Sequence, residues 1–185
     1  MVRPATDSIK DPPRRLVYYG PGLSGKTSNL LRLAEAENRL TDLTVIDTAF
    51  PADRCEFLPL TRSGGSLHLV AVPGRLARTA DRLNLLRGVH GVVFVADGRI
   101  ARQDANLVLL DELGAHLAAC GVSPATFPLV LQYNHRDLPD AVPVSDMDRL
   151  LNGRGGPAVS ACALTGEGVS ATLDALLTLL PPATR

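Results

Sequence analysis

The chain has 185 residues, 45% of them apolar and 4% aromatic, which suits one globular domain with a full core and is too short for two ordinary ones. Its 19 Lys and Arg balance its 19 Asp and Glu, so it lacks the overall positive field on which nucleic-acid binding relies. No apolar run reaches the roughly 18 residues a membrane helix needs, the first residues carry no apolar signal core, and Cys55, Cys120 and Cys162 lie too far apart for a cysteine-built zinc site, so a cytoplasmic protein is expected.

Residues 1–13, with three prolines and no periodicity, read as a mobile tail before a domain over 14–181, and 182–185 as a short C-terminal tail. The run Arg15–Tyr19 predicts a strand that ends in a glycine-rich loop, and the leucine spacing after it predicts a helix over 26–37. Residues 38–55 have no clean period and read as a long connection. Strands are expected near 56–61 and 66–72, joined by a turn at Ser63-Gly64-Gly65. A short helix at 79–87 then leads to the all-apolar strand Val92–Ala96. Leu107, Leu110, Leu113 and Leu117 set a helix over 102–120, followed by a strand at 129–133, a helix at 144–151, a strand at 158–162 and a helix at 168–180. Apolar strands alternating with helices predict an α/β domain: a mostly parallel, six-stranded sheet with one antiparallel edge strand from the hairpin and helices on both faces.

Gly20-Pro-Gly-Leu-Ser-Gly-Lys-Thr27 fits G-x-x-x-x-G-K-[ST] between the first strand and the first helix. Glycines let such a loop aim its backbone N–H groups at phosphate oxygens, and the helix adds the positive end of its dipole. The candidate phosphate-binding residues are Gly20, Gly22, Leu23, Ser24, Gly25, Lys26, Thr27 and Ser28. Lys26 is one of only two lysines in the chain and is placed to bridge two phosphates; the Thr27 hydroxyl is a candidate Mg²⁺ ligand. Asn134-His135-Arg136-Asp137 ends an apolar strand with the shape N-x-x-D. There the Asp137 carboxylate can accept guanine N1–H and N2–H₂, donors that adenine does not present together, and the His135 ring can pack on a purine. A third element, Ser160 to Val169, brings Cys162, Ala163 and Leu164 to the base, with the Ala163 amide as the candidate donor to guanine O6.

These motifs, with Phe57-Leu-Pro-Leu60, Val72-Pro-Gly74, the stretch Gly88–Asp97 and Gln132–Pro139, resemble the Ras-like small GTPases and, among them, the bacterial MglA type, from about residue 14 to 180. The resemblance implies a P-loop, Ras-like G domain that binds GTP or GDP with Mg²⁺, regulates cell polarity or gliding-type motility, and is activated by a roadblock-fold, MglB-like partner. No nucleic acid is expected as a partner. With Val2 and no cysteine at the C-terminus, no direct lipid anchor is expected.

The chain also departs from the family pattern. Where small GTPases carry D-x-x-G-Q, it reads Ala71-Val72-Pro73-Gly74-Arg75. Gly74 keeps the amide expected at the γ-phosphate. Ala71 has no oxygen for the metal shell, although MglA-type proteins do not always carry Asp there. Arg75 is a donor-only group that can stabilise phosphate charge but cannot accept a hydrogen bond from the attacking water. Slow intrinsic hydrolysis is therefore expected, and a hydrolysis-impaired nucleotide-binding scaffold is the alternative. In the 38–55 connection Thr48 is the first candidate, ahead of Thr44, for the second threonine on Mg²⁺. Arg54 resembles a switch arginine that the family is thought to use in catalysis.

Overall fold

Strand β1 (Arg14–Tyr19) becomes apolar on both of its faces from Leu16 onward, and such a strand is stable only inside a sheet covered on two sides. The structure, a computed structural model describing residues 12–47, 54–62, 65–73 and 79–182, places it there. Among the described residues seven strands make one sheet: β1, β2 (Thr44–Asp47), β3 (Arg54–Arg62), β4 (Gly65–Ala71), β5 (Gly91–Asp97), β6 (Leu129–Asn134) and β7 (Ala158–Ser160). Their spatial order is β2-β3-β4-β1-β5-β6-β7. Neighbours from β4 to β7 are parallel, and β3 runs antiparallel to both β4 and β2.

Side chains alternate between two cores, as strand periodicity requires. Leu16 and Tyr18 pack with Leu30 and Leu33 of α1 (Lys26–Ala36) and Leu173 and Leu176 of α5 (Val169–Leu179). Val17 and Tyr19 face the other side, toward Leu86 of α2 (Thr79–Leu86), Leu113 and Leu117 of α3 (Gln103–Ala119), and Met147 and Leu151 of α4 (Val144–Leu151). Each fully buried leucine contributes roughly 2–3 kcal/mol relative to exposure. No helix among the described residues is long and apolar enough to cross a membrane.

The sheet corrects the sequence reading in two places. It has seven strands, not six, because Thr44–Asp47 pairs with β3; the antiparallel strand β3 is therefore covered by β2 and does not form the edge. Val45 and Ile46 both face solvent, so β2 buries no face and leaves no alternating pattern to read. Strand β7 stops at Ser160, because the Cys162–Gly166 segment turns off the sheet: the amides of Thr165 and Gly166 donate to Cys162 O. The other predicted elements are present with bounds within two residues.

Strands β1 and β5 are neighbours, yet the chain runs from the carboxyl end of β1 toward β2 on one side and from that of β5 toward β6 on the other. In an open α/β sheet that is where a ligand crevice forms. The chain turns there at Gly20, with φ at 141°, and a Cβ on Gly20 would lie 2.3 Å from the Val95 carbonyl oxygen. Gly20→Ala is expected to destabilise the protein by about 2–3 kcal/mol, since neither backbone can yield cheaply. Chemical denaturation should show a lower midpoint with an unchanged slope.

Candidate functional site

The loop from Gly20 to Gly25 is held by its carbonyls. Lys26 Nζ donates to Gly20 O at 2.9 Å and to Pro21 O at 2.6 Å. Arg102 Nη2 donates to Gly22 O at 2.9 Å, and His135 Nε2 to Leu23 O at 3.0 Å. Asn134 Nδ2 donates to Ser24 O at 2.7 Å, while the Asn29 amide and Nδ2 both reach Gly25 O. Every carbonyl in the loop is thus tied down, with Leu23 (φ 67°) and Gly25 (φ 98°) in the left-handed region. Alternation of this kind forms a nest of N–H groups that suits an anion. The amides of Gly25, Lys26 and Thr27 head α1 and donate to no acceptor among the described residues. Gly25 leaves room that a Cβ would fill: it would stand 2.1 Å from Asn134 Nδ2.

A cavity of about 320 Å³ opens in front of this loop. Leu23, Gly25, Lys26, Thr27 and Ser28 line one wall, Glu56, Val72 and Pro73 the opposite one, and His135 joins them. Lys26 is almost completely buried, and its pKa falls to about 8. Burial is the main cause; the charge of Glu56 opposes the shift, and those of Arg82 and Arg102 reinforce it. Arg102 is itself anchored. Its Nε lies 3.5 Å from Asp97, whose buried carboxylate also takes two hydrogen bonds from the Arg99 guanidinium and one from the Arg99 amide. Burial works against the charge on Asp97, but the Arg99 hydrogen bonds and the neighbouring charges of His135 and Arg99 outweigh it and hold the carboxyl below its ordinary value.

Asn134 joins the second motif to the third. It is buried, and its Oδ1 accepts from the Ala163 amide at 2.8 Å while its Nδ2 holds the Ser24 carbonyl. The Ala163 amide, expected to face guanine O6, therefore has a protein partner in this structure. His135 stands in the left-handed region (φ 60°) on the loop side of the strand end, and Asp137 is exposed beside it. Cys162 is buried, and Leu164 is exposed with its carbonyl accepting from the Arg32 guanidinium. Thr27 is exposed at the first turn of α1, and Ser28 is half-buried. Thr44 lies in β2 opposite Phe57. Thr48, Gly74 and Arg75 lie outside the described residues; Arg54 opens β3, and its side chain is likewise outside the description.

Glu56, Arg102 and Asn29 escaped the sequence reading. Glu56 pairs in register with Ala71 across the β3–β4 ladder, which puts a carboxylate on the cavity wall beside the position that lacks one. The Arg62–Gly65 pairing fixes that register, while residues 63–64 of the expected turn lie outside the described residues. Arg102 had no signal, because its partner is a backbone carbonyl 80 residues away.

A strand, a phosphate-type loop and a helix at the switch point of a mixed sheet, followed by Asn134 clamping that loop, define a P-loop domain of the Ras-like type. No family model matches the chain. It is 42% identical over 174 residues to the mutual gliding-motility protein MglA of Myxococcus xanthus (strain DK1622), covering 90% of this chain and 89% of that protein. The chain belongs to the MglA family of Ras-like small GTPases.

The Lys26 shift has a consequence for stability. Its folded pKa, about 8, lies below the ordinary 10.5, so the folded chain sheds this proton before the unfolded one does. Stability is reduced below pH 8 and recovers as pH rises toward 10.5, by about 3 kcal/mol at most. Denaturation of the nucleotide-free protein across that window should show the rise, and Lys26→Met should remove it.

Proposed function

We propose that the protein is a guanine-nucleotide switch whose loop Gly20–Thr27 binds the phosphates of GTP or GDP and whose Asp137 reads the base. The observation that carries this reading is the set of outward-tied carbonyls, which leaves inward amides at the head of α1, with Asn134 fixing that loop against the base-side segment. Lys26 neutralises phosphate charge, and phosphate in turn restores its proton. His135 packs against the purine while its Nε2 holds Leu23 O. Cys162, Ala163 and Leu164 wall the base side.

Magnesium, once bound, neutralises phosphate charge and orients phosphate oxygens. No three His, Cys, Asp or Glu converge among the described residues, so protein carboxylates alone do not make a cage. The donors present suit an ion held chiefly by phosphate, with Thr27 and Thr48 as hydroxyl ligands. Glu56 supplies, from the neighbouring strand, the carboxylate that Ala71 lacks. In hydrolysis Gly74 contacts the γ-phosphate, Arg75 stabilises its charge without orienting water, and Arg54 assists. Intrinsic turnover is slow, and a roadblock-fold, MglB-like partner raises it. The relative's name supports a role in gliding motility, and the family resemblance extends that expectation to cell polarity.

A second reading, a nucleotide-bound scaffold that barely hydrolyses GTP, is favoured by Ala71 and Arg75. Single-turnover hydrolysis with and without a roadblock-type protein separates the two: stimulated turnover supports the switch, and none under either condition supports the scaffold.

Asp137→Asn exchanges an acceptor for a donor at the base. GTP binding should weaken about 100-fold or more while xanthine nucleotides gain, as calorimetry would detect. Equal losses for all purine nucleotides would remove the guanine assignment. Glu56→Gln should raise about tenfold the Mg²⁺ concentration needed to retain nucleotide. A titration curve that does not move would take Glu56 out of the metal shell.

A further inference from the structure

Below Asn134, the same face of β6 carries a second polar residue inside an otherwise apolar layer. Gln132 is fully buried, as are Asn29 of α1 and Thr172 of α5. Gln132 Oε1 accepts from Asn29 Nδ2 at 2.8 Å, and Gln132 Nε2 donates back to Asn29 Oδ1 at 2.8 Å. The second Nε2 hydrogen goes to Thr172 Oγ1 at 2.9 Å, and that hydroxyl donates to Gly168 O at 2.7 Å. At the other end, Asn29 Nδ2 also donates to Gly25 O at 2.9 Å.

The order of donors is forced. The one hydroxyl hydrogen of Thr172 is spent on Gly168, so Thr172 must accept from the Gln132 amide nitrogen. The Gln132 oxygen then faces the Asn29 amide nitrogen, whose other hydrogen meets Gly25. Flipping either amide breaks at least two bonds in a dry layer, where each orphaned group costs about 1–3 kcal/mol. The line therefore runs from a phosphate-loop carbonyl to the glycine that precedes α5, and fixes the distance between them.

Residues two apart on a strand point to the same side, so Gln132 and Asn134 make two stacked rungs. The upper rung ties Ser24 O to the Ala163 amide. The lower one ties Gly25 O to Gly168 O. Apolar side chains of similar size would fill the lower layer at little cost to folding, because replacing both partners of a buried hydrogen bond is often nearly neutral. A fully bonded polar rung instead specifies geometry.

We infer that Gln132, with Asn29 and Thr172, is a positioning residue that holds the phosphate loop and the 162–168 segment in register, so that grip on the phosphates and recognition of the base are coupled. It acts through Asn29 on Gly25 and through Thr172 on Gly168, and touches neither phosphate nor base. The inference rests on the guanine-nucleotide reading above.

The test uses the full chain and fluorescent GDP, with IDP, which lacks the exocyclic amine, as competitor. Wild-type protein must first bind GDP; if it does not, the guanine reading itself fails. Given binding, Asn29→Leu combined with Gln132→Leu should release GDP about tenfold faster and narrow the GDP-over-IDP preference about tenfold, with nucleotide-free melting nearly unchanged. The exchanged pair Asn29→Gln with Gln132→Asn re-forms the reciprocal amide bonds and should recover most of both. Should the leucine pair fail to fold, Thr172→Val removes one bond in each direction at constant shape and should narrow the preference in the same sense. A preference that stays at the wild-type ratio in the folded variants, or that falls only in step with melting temperature, overturns the inference.

Discussion

A peptide loop can offer its N–H groups to an anion only if something holds its C=O groups away. Here that restraint comes from five side chains, Lys26, Arg102, His135, Asn134 and Asn29, which arrive from α1, the start of α3 and the end of β6. Glycine supplies the conformational freedom to form the loop, but these donors convert freedom into one shape. Three of the five are charged or can be, so the loop is preset in a field already positive before any anion arrives, which suits a multiply charged ligand. The depressed pKa of Lys26 comes mainly from its burial against that loop, with the charges of Arg82 and Arg102 adding to it.

The wall opposite the loop follows a different logic. A hairpin of fixed register sets Glu56 beside Ala71, so a carboxylate can move one strand over and still reach the same cavity. A function defined by where an oxygen lies is not bound to one place in the chain. Arg75 differs in kind, since no displacement changes a donor into an acceptor. On the function proposed above, the two departures from the family pattern therefore have unequal chemical weight: one has a carboxylate close at hand in the fold, and the other alters which reaction step the segment can support.

Legibility in the sequence followed the number of constraints acting at each place. Strands β1, β5 and β6 were plain because burial on both faces demands an unbroken apolar run, and the loop between β1 and α1 because a phosphate nest tolerates few residue types. Strand β2 was invisible since Val45 and Ile46 face solvent and obey no alternation. The role of Asn134 was half legible: its place at a strand end marked a site, but its bond to the Ala163 amide depends on how far the 162–166 turn folds back over β6. Arg102 and Gln132 stayed hidden because their partners are distant in the chain, and an isolated Arg or Gln carries no spacing to read.

Among the described residues Lys26 is the sole primary side-chain amine, as every other cation there is arginine or histidine. That economy makes the crevice chemically addressable. Acylating or reductively methylating reagents, which pass over guanidinium, would find a single target in the described part of the protein, and a target already inclined to lose its proton. The extent of modification at that nitrogen would therefore serve as a gauge of how much of a sample carries bound nucleotide.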